Sequence, residues 1–227
     1  MNSAVLASLE HFQPSTEPSG GAELVGQQVW DLLLSIERFS EDWVVHGVPK
    51  THSFGRLPEE EEIRAWAVPR STGYWLHSII RLTGAKTVLE IGTSLGYSTL
   101  WMASALAKNS GSIYTCELFD PKAKLARKHF ASSGLRNIML LENDAVETTK
   151  AWDKPIDVLF LDADPENYST YWSVLKHWLH ADSIVIMDNA VDHLSITEPF
   201  IEEIARETEW TSWVLPFDHG LLFAKQK

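Results

Sequence analysis

The sequence predicts an α/β fold: a mostly parallel, seven-stranded sheet with helices on both faces and an antiparallel hairpin at its C-terminal end. Three observations predict it. Short apolar runs alternate five times with segments of helical spacing between Thr87 and Glu207, the mark of successive βα units. The first run passes directly into a glycine turn, Gly92-Thr-Ser-Leu-Gly96, the strand–turn–helix junction where doubly wound sheets bind their ligands. The last two runs are separated only by Phe217-Asp-His-Gly220, a hairpin signal.

The elements follow in order. Residues 1–21 are rich in Ser, Pro and Gly and read as a loose tail. From Gly21 to Trp43 apolar residues recur at helical spacing (Leu24, Val25, Val29, Leu32, Leu33, Ile36). Residues 44–57 read as a loop, and further helices are expected over 59–67 and 71–83, the last closed by Gly84 as C-cap. Residues 22–83 would thus form a helical cap and 84–227 the sheet domain. Strand 87–91 leads to helix 96–107, and strand 112–117 to a helix opened by Asp120-Pro121 and ended by Ser133-Gly134. Strand 138–142 leads to a short helix near 145–151, strand 156–161 to helix 165–179, and strand 183–187 to helix 196–207. The hairpin strands are expected over 212–216 and 221–225.

Composition narrows the function. The chain has 227 residues, 44% of them hydrophobic, with no apolar run long enough to span a bilayer. Met1 to Pro14 carries no basic start, so no signal peptide is expected. One cysteine, Cys116, excludes an internal disulfide framework and fits the cytoplasm, as a buried inert thiol. Net charge is −12, with 11 acids against 3 bases in residues 1–62. That balance disfavours nucleic acid as a partner. The acidic run Glu59–Glu62 reads as a solvated first helical turn after Pro58.

The glycine turn is spaced G-x-x-x-G, with Ser94 where the dinucleotide fingerprint has its middle glycine. That glycine lets backbone approach a pyrophosphate, so the cofactor expected is one without it, S-adenosylmethionine. The helix start at Gly96–Ser98 would receive the methionine carboxylate. Glu117, ending the second strand, would accept ribose hydroxyls. Asp144 would either reach the adenine amino group or cap the next helix. Strands four and five end in Asp162-Ala163-Asp164 and Asp188-Asn189. Asp162, Asp188 and Asn189 form an oxygen-only set suited to a hard divalent cation such as Mg²⁺. Asp164, ahead of Pro165, reads as a helix cap.

The ordered set of glycine turn, Glu117, Asp162-Ala-Asp164 with Asn167-Tyr168, Asp188-Asn189 and a closing Leu-Pro…Gly-Leu-Leu resembles the cation-dependent class I O-methyltransferases. These are the catechol and caffeoyl-CoA type with a Rossmann-like fold. The likeness runs from about Val68 to Lys225. The resemblance implies that Val68, Glu90, Gly92, Thr93, Ser98, Glu117, Ala145 and Asp164 contact S-adenosylmethionine; Gly96, Asp144 and Asp162 are further cofactor-site candidates. It implies that Asp162, Asp188 and Asn189 hold the metal. It further implies a small phenolic or catechol-like acceptor and a homodimer. Relatives commonly carry Lys where this chain has Pro165, so either the metal alone activates the hydroxyl or another base serves. Asp192 and His193 are the candidates, and His193 stands where relatives contact the acceptor. His180-Ala-Asp182 replaces a Pro-Gly-Gly turn, expected to alter a loop only. Trp30, Trp43, Trp66 and Trp75 fall in the predicted cap, mostly as packing residues, with one or two available to stack on an acceptor. The competing readings are a tRNA hydroxyuridine methyltransferase and a cofactor-binding protein that has lost catalysis. A nicotinamide oxidoreductase is disfavoured by Ser94 and the hairpin.

Overall fold

The five apolar runs form parallel strands β1 (Thr87–Ile91), β2 (Ser112–Cys116), β3 (Ile138–Leu141), β4 (Ile156–Leu161) and β5 (Leu179–Met187) in a computed structural model that describes residues 20–45 and 66–227. The hairpin strands β6 (Trp210–Leu215) and β7 (Leu221–Gln226) complete a seven-stranded sheet of order β3-β2-β1-β4-β5-β7-β6. β7 runs antiparallel to β5, so the hairpin inserts its second strand next to the parallel set and leaves β6 at the edge. Around the sheet lie α1 (Gly21–Val25), α2 (Gln27–Val45), α3 (Arg70–Thr83), α4 (Tyr97–Lys108), α5 (Asp120–Ser133), α6 (Ala145–Lys150), α7 (Tyr168–Leu175) and α8 (Leu194–Arg206).

The strands are apolar throughout because both faces are covered. Alternate side chains enter opposite layers. Val88, Val158, Phe160, Ile184 and Ile186 pack with α1–α5. Leu89, Ile91, Leu159, Leu161, Val185 and Met187 pack with α7 and α8. Trp101 on α4 lies at the centre of the first layer, edge-on to Trp30 and against Tyr74. Trp172 holds the second layer between Phe200 and Trp210.

The structure corrects several expected boundaries. The single helix expected from Gly21 divides at Gly26, whose φ of 87° leaves the right-handed helical region. The second helix reaches Val45, so the expected loop begins later, and residues 46–57 lie outside the described part. Of the helix expected over 59–67, only Trp66 and Ala67 are described, and neither is helical. The tail, apart from its last two residues, and the Glu59–Glu62 run also lie outside the described residues. The helix expected over 165–179 is a 3₁₀ turn, Pro165–Asn167, then α7 and a second 3₁₀ turn, Lys176–Trp178. β5 starts at Leu179, earlier than expected. Its pairing steps from Ile156–Leu179 to Val158–Ile184, so residues 180–183 bulge from the ladder. His180 in that bulge bonds Asp157 at 2.9 Å.

Glu37 joins the helical cap to the glycine turn. Its carboxylate accepts from Arg70 at the start of α3 and from the hydroxyl of Tyr97 at the start of α4. Burial and the Glu37 carboxylate both hold the Tyr97 hydroxyl protonated. Tyr97→Phe is expected to cost about 1–2 kcal/mol, a hydrogen bond to a charged acceptor, and to lower Tm by roughly 3–6 °C. An unchanged melting curve would remove this link.

Candidate active site

The chain order reverses between β1 and β4, and the strand ends there open the crevice typical of doubly wound sheets. The ladder continues one residue beyond each strand. Asp162 N–H donates to the Ile91 carbonyl at 2.9 Å, and Asp188 N–H to the Leu161 carbonyl at 3.0 Å. Leu161 pairs with Met187, so the next residues, Asp162 and Asp188, stand side by side. Asn189 follows with a φ of 62°. Its amide nitrogen lies 3.4 Å from carboxylate oxygens of both aspartates. The three residues expected to bind a metal are therefore brought together.

This edge is electrostatically unsatisfied. Burial, then the charge of Asp188, then that of Glu90 hold the Asp162 carboxyl well above the ordinary carboxylate range. Burial pushes Asp188 up to about 6, against the opposing pull of the Asn189 N–H and His219. Asp188 Oδ1 is buried without a hydrogen-bond partner. Rotating the Asn189 amide would present a third oxygen in place of its N–H₂. An oxygen-only set with an unpaired buried acceptor fits a hard divalent cation. Among the described residues no group of three or more His, Cys, Asp or Glu side chains is arranged for a metal; here the third donor is an amide.

The glycine turn has its own constraints. A Cβ on Gly92 would lie 2.0 Å from the Asp162 carbonyl oxygen, and one on Gly96 would lie 2.4 Å from the Phe130 ring. Both glycines have positive φ, 103° and 86°. Their need is thus set by close packing of the turn on β4 and α5 as well as by any ligand. Glu90, expected at the cofactor, is fully buried on the α4 side, where it accepts from Ser98, Thr99 and Thr115. Burial pushes it up to about 7, and those three hydroxyls oppose the shift. Glu90 and Ser98 therefore brace the turn from beneath, and Thr93 adds a 2.6 Å bond to Thr115.

Glu117 accepts the Ser94 N–H at 2.8 Å and the Phe119 N–H at 2.9 Å, which leaves carboxylate lone pairs for a diol. Ser94 Oγ is buried with no partner, a second polar atom at this crevice that a ligand could satisfy. Asp144 resolves toward capping: one oxygen accepts from Val146 and Glu147 at the start of α6, beside Ala145. Asp164 takes the expected N-cap position ahead of Pro165, without a side-chain bond to the first-turn N–H groups. Its carboxylate instead receives Asn167 and the Tyr171 hydroxyl, fastening the 3₁₀ turn to α7. Val68 is buried in the cap-side layer. His193 opens α8, and its N–H donates to the Asn189 carbonyl at 3.2 Å, placing it one turn from the aspartate pair.

Three residues here were missed in the sequence. Lys122 is buried at 5% exposure with its ammonium 4.7 Å from the Trp66 ring, and its charge pulls against the raised Glu117 and Asp162. Asp218 and His219, in the β6–β7 turn, tie that turn to the helical cap and to Asp192. The turn was legible as a hairpin, but nothing local told which side chains would reach across to the site. Cys116 is buried and its thiol is pushed up to about 12 by desolvation, an inert group.

A family described as O-methyltransferase matches residues 55–218 of this sequence. The chain belongs to the O-methyltransferase family. This family member is similar to a catechol O-methyltransferase of Niastella koreensis, with 32% identity over 163 residues covering 65% of this chain and 71% of the relative. A Mycobacterium leprae protein named as an O-methyltransferase is 29% identical over 179 residues, covering 72% and 80%. A solved O-methyltransferase from Bacillus cereus in complex with SAH shares the fold, with TM-score 0.69, 20% identity and coverage of 99% and 97%. The O-methyltransferase TomG from Streptomyces achromogenes in complex with SAM does so too, with TM-score 0.68, 21% identity and coverage of 100% and 96%. Among the described residues of the O-methyltransferase, no helix is long and apolar enough to cross a membrane.

Proposed function

We propose that this enzyme transfers the methyl group of S-adenosylmethionine to a hydroxyl of a small phenolic or catechol-like acceptor, with a divalent cation held by Asp162, Asp188 and Asn189. The observation that carries the reading is the Asp162–Asp188 pair, bridged by one amide at 3.4 Å and containing a buried oxygen with no partner. Paired buried carboxylates repel and are retained at a cost in stability, which a cation would offset. The Niastella koreensis relative, named a catechol O-methyltransferase, supports the acceptor class.

The chain's own residues divide the work. Glu117 receives the ribose diol, and the first-turn N–H groups of α4 receive the amino-acid carboxylate. The second oxygen of Asp144 remains for the adenine amino group, with Ala145 and Val68 flanking the ring. Gly92, Thr93 and Gly96 shape the turn, and Glu90 and Ser98 hold it rigid. Asp164 positions the segment that follows Asp162. A bound cation would supply Lewis acidity, lowering the pKa of an acceptor hydroxyl. His193, one turn from the aspartate pair, contacts the acceptor. The negative charge near this edge disfavours a tRNA substrate. A homodimer in the cytoplasm is the working assembly, checked by sedimentation.

The test is methyl transfer to catechol with and without Mg²⁺. Transfer that is unaffected by EDTA would overturn the metal's role, and transfer to hydroxylated uridine alone would overturn the acceptor class. A pH dependence accompanies it. Asp188 and Glu90 keep protons in the folded chain up to about 6 and about 7, where unfolded carboxylates have already lost theirs. The folded state therefore binds more protons across that window, and metal-free stability falls as pH rises from about 4 to 7. Each group contributes on the order of 2–3 kcal/mol. Mg²⁺ is expected to raise Tm more at pH 8 than at pH 5, because the cation requires both aspartates ionised. Equal shifts at the two pH values would count against the site.

A further inference from the structure

The geometry points to His219, oriented by Asp192, as the base that takes the acceptor's hydroxyl proton, an assignment that rests on the methyl-transfer reading above. Pro165, after Asp164, has no titratable group. The β6–β7 turn meets the requirement of position. Its Gly220 carbonyl accepts the Ala190 N–H at 2.9 Å, and its His219 carbonyl accepts the Val191 and Asp192 N–H groups at 3.0 and 3.1 Å. The turn is thus docked on the residues that directly follow Asp188 and Asn189. A Cβ on Gly220 would lie 2.4 Å from Val191, so glycine alone permits the approach. From the other side, Asp218 accepts the hydroxyls of Ser71 and Thr72 at 2.6 and 2.7 Å. The His219 backbone is therefore held between the helical cap and the aspartate edge.

The side chain meets the requirement of chemistry. His219 Nδ1 lies 2.6 Å from Asp192 Oδ2. An ionised carboxylate only accepts, so Nδ1 carries the hydrogen and Nε2 keeps its lone pair. Among the described residues, Nε2 has no hydrogen-bond partner. The carboxylate paired with the imidazole is Asp192, in the loop after β5, while Asp218 in the same turn is occupied by Ser71 and Thr72. The α3 start contributes the neutral Ser71 and Thr72, and its Arg70 is engaged by Glu37. His219 is half-exposed, so the proton can pass on to water.

The step balances. The acceptor O–H gives its proton to Nε2, and the oxygen pair forms a bond to the sulfonium methyl carbon. The carbon–sulfur pair returns to sulfur, leaving neutral S-adenosylhomocysteine, the methyl ether and an imidazolium that loses its proton to solvent.

The experiment uses the full chain with His219→Gln and Asp192→Asn. Donor affinity is read by calorimetry, and kcat is read across pH at saturating Mg²⁺ with catechol and with 4-nitrocatechol, whose hydroxyl is already acidic. His219→Gln is expected to lower kcat for catechol about 100-fold, a general-base loss, and to flatten the rise of rate with pH. It should leave donor affinity within twofold and lose far less with 4-nitrocatechol. Asp192→Asn, which loses the acceptor that fixes the Nδ1–H tautomer, should lower kcat roughly tenfold. Nitrogen-detected NMR of the ligand-free protein should report the Nδ1–H tautomer at His219. An Nε2–H tautomer, equal losses with both acceptors, or an unchanged profile in His219→Gln would overturn the assignment. So would a limb that vanishes in His193→Gln and persists in His219→Gln. A wild type that binds the donor and transfers no methyl group would overturn the underlying reading, and this one with it.

Discussion

Asp188→Ala is expected to lower methyl transfer by 1,000-fold or more while donor affinity changes less than about threefold, since a metal's charge stabilisation at a reacting oxygen is worth several kcal/mol. The separation is spatial. Asp188 follows β5, whereas most of the groups assigned to the donor lie at the ends of β1, β2 and β3. The variant also makes a stability prediction of unusual sign. Removing a buried carboxylate normally exposes a partner, but Asp188 Oδ1 has none and the neighbour is a second carboxylate. Metal-free Asp188→Ala at pH 8 is therefore expected to be as stable as wild type or more stable by about 1 kcal/mol, the relief of like-charge repulsion. The Mg²⁺-induced rise in Tm should vanish. Mg²⁺ stimulation that survives in this variant would show that the aspartate pair is not the cation site.

Gly92→Ala is expected to be the most destabilising Gly→Ala substitution among the described glycines. The new Cβ would sit 2.0 Å from the Asp162 carbonyl oxygen, a backbone atom that cannot rotate away, at a φ of 103°. Left-handed strain of about 1–2 kcal/mol adds to overpacking of about 1–3 kcal/mol. A total near 3–4 kcal/mol corresponds to a fall in Tm of roughly 10 °C for a chain of this size. Gly26→Ala is the control, because Gly26 also has positive φ, 87°, but open space where its Cβ would be. It should cost only about 1 kcal/mol. The two melting curves separate steric approach from backbone strain, and similar losses would refute the packing argument. Gly92→Ala also pushes on the residue that supplies the Asp162 side chain, so its remaining folded fraction should show weakened Mg²⁺ dependence.

Local patterning made the sheet legible. Both faces of β1, β4 and β5 are covered, so their apolar runs are nearly continuous and unmistakable in sequence. Glu90 illustrates where that legibility ended. Its place at the end of β1 suggested a ligand contact, yet strand alternation turns it to the α4 side, where three hydroxyls occupy it. Asp144 and Asp164 were read by the same capping logic, and only the first caps through its side chain. Asn167 and Tyr171 lie on the segment that Asp164 binds instead, a competition between nearby acceptors that helix-start statistics do not weigh.

The division has a physical basis. Periodicity, turn chemistry and the residues at strand ends act over a few positions, so the order of elements, the crevice and the polar residues at its strand ends were written in the linear chain. Which groups meet from separate elements was decided only by folding. The adjacency of Asp162 and Asp188 depends on the register of β4 against β5. The contact of Asp218 with Ser71 and Thr72, and of His219 with Asp192, depends on β7 being laid beside β5 and returning the hairpin turn to the sheet edge. Those contacts are long-range pairings whose partners have no fixed spacing, and only the packed sheet brings them within hydrogen-bonding distance.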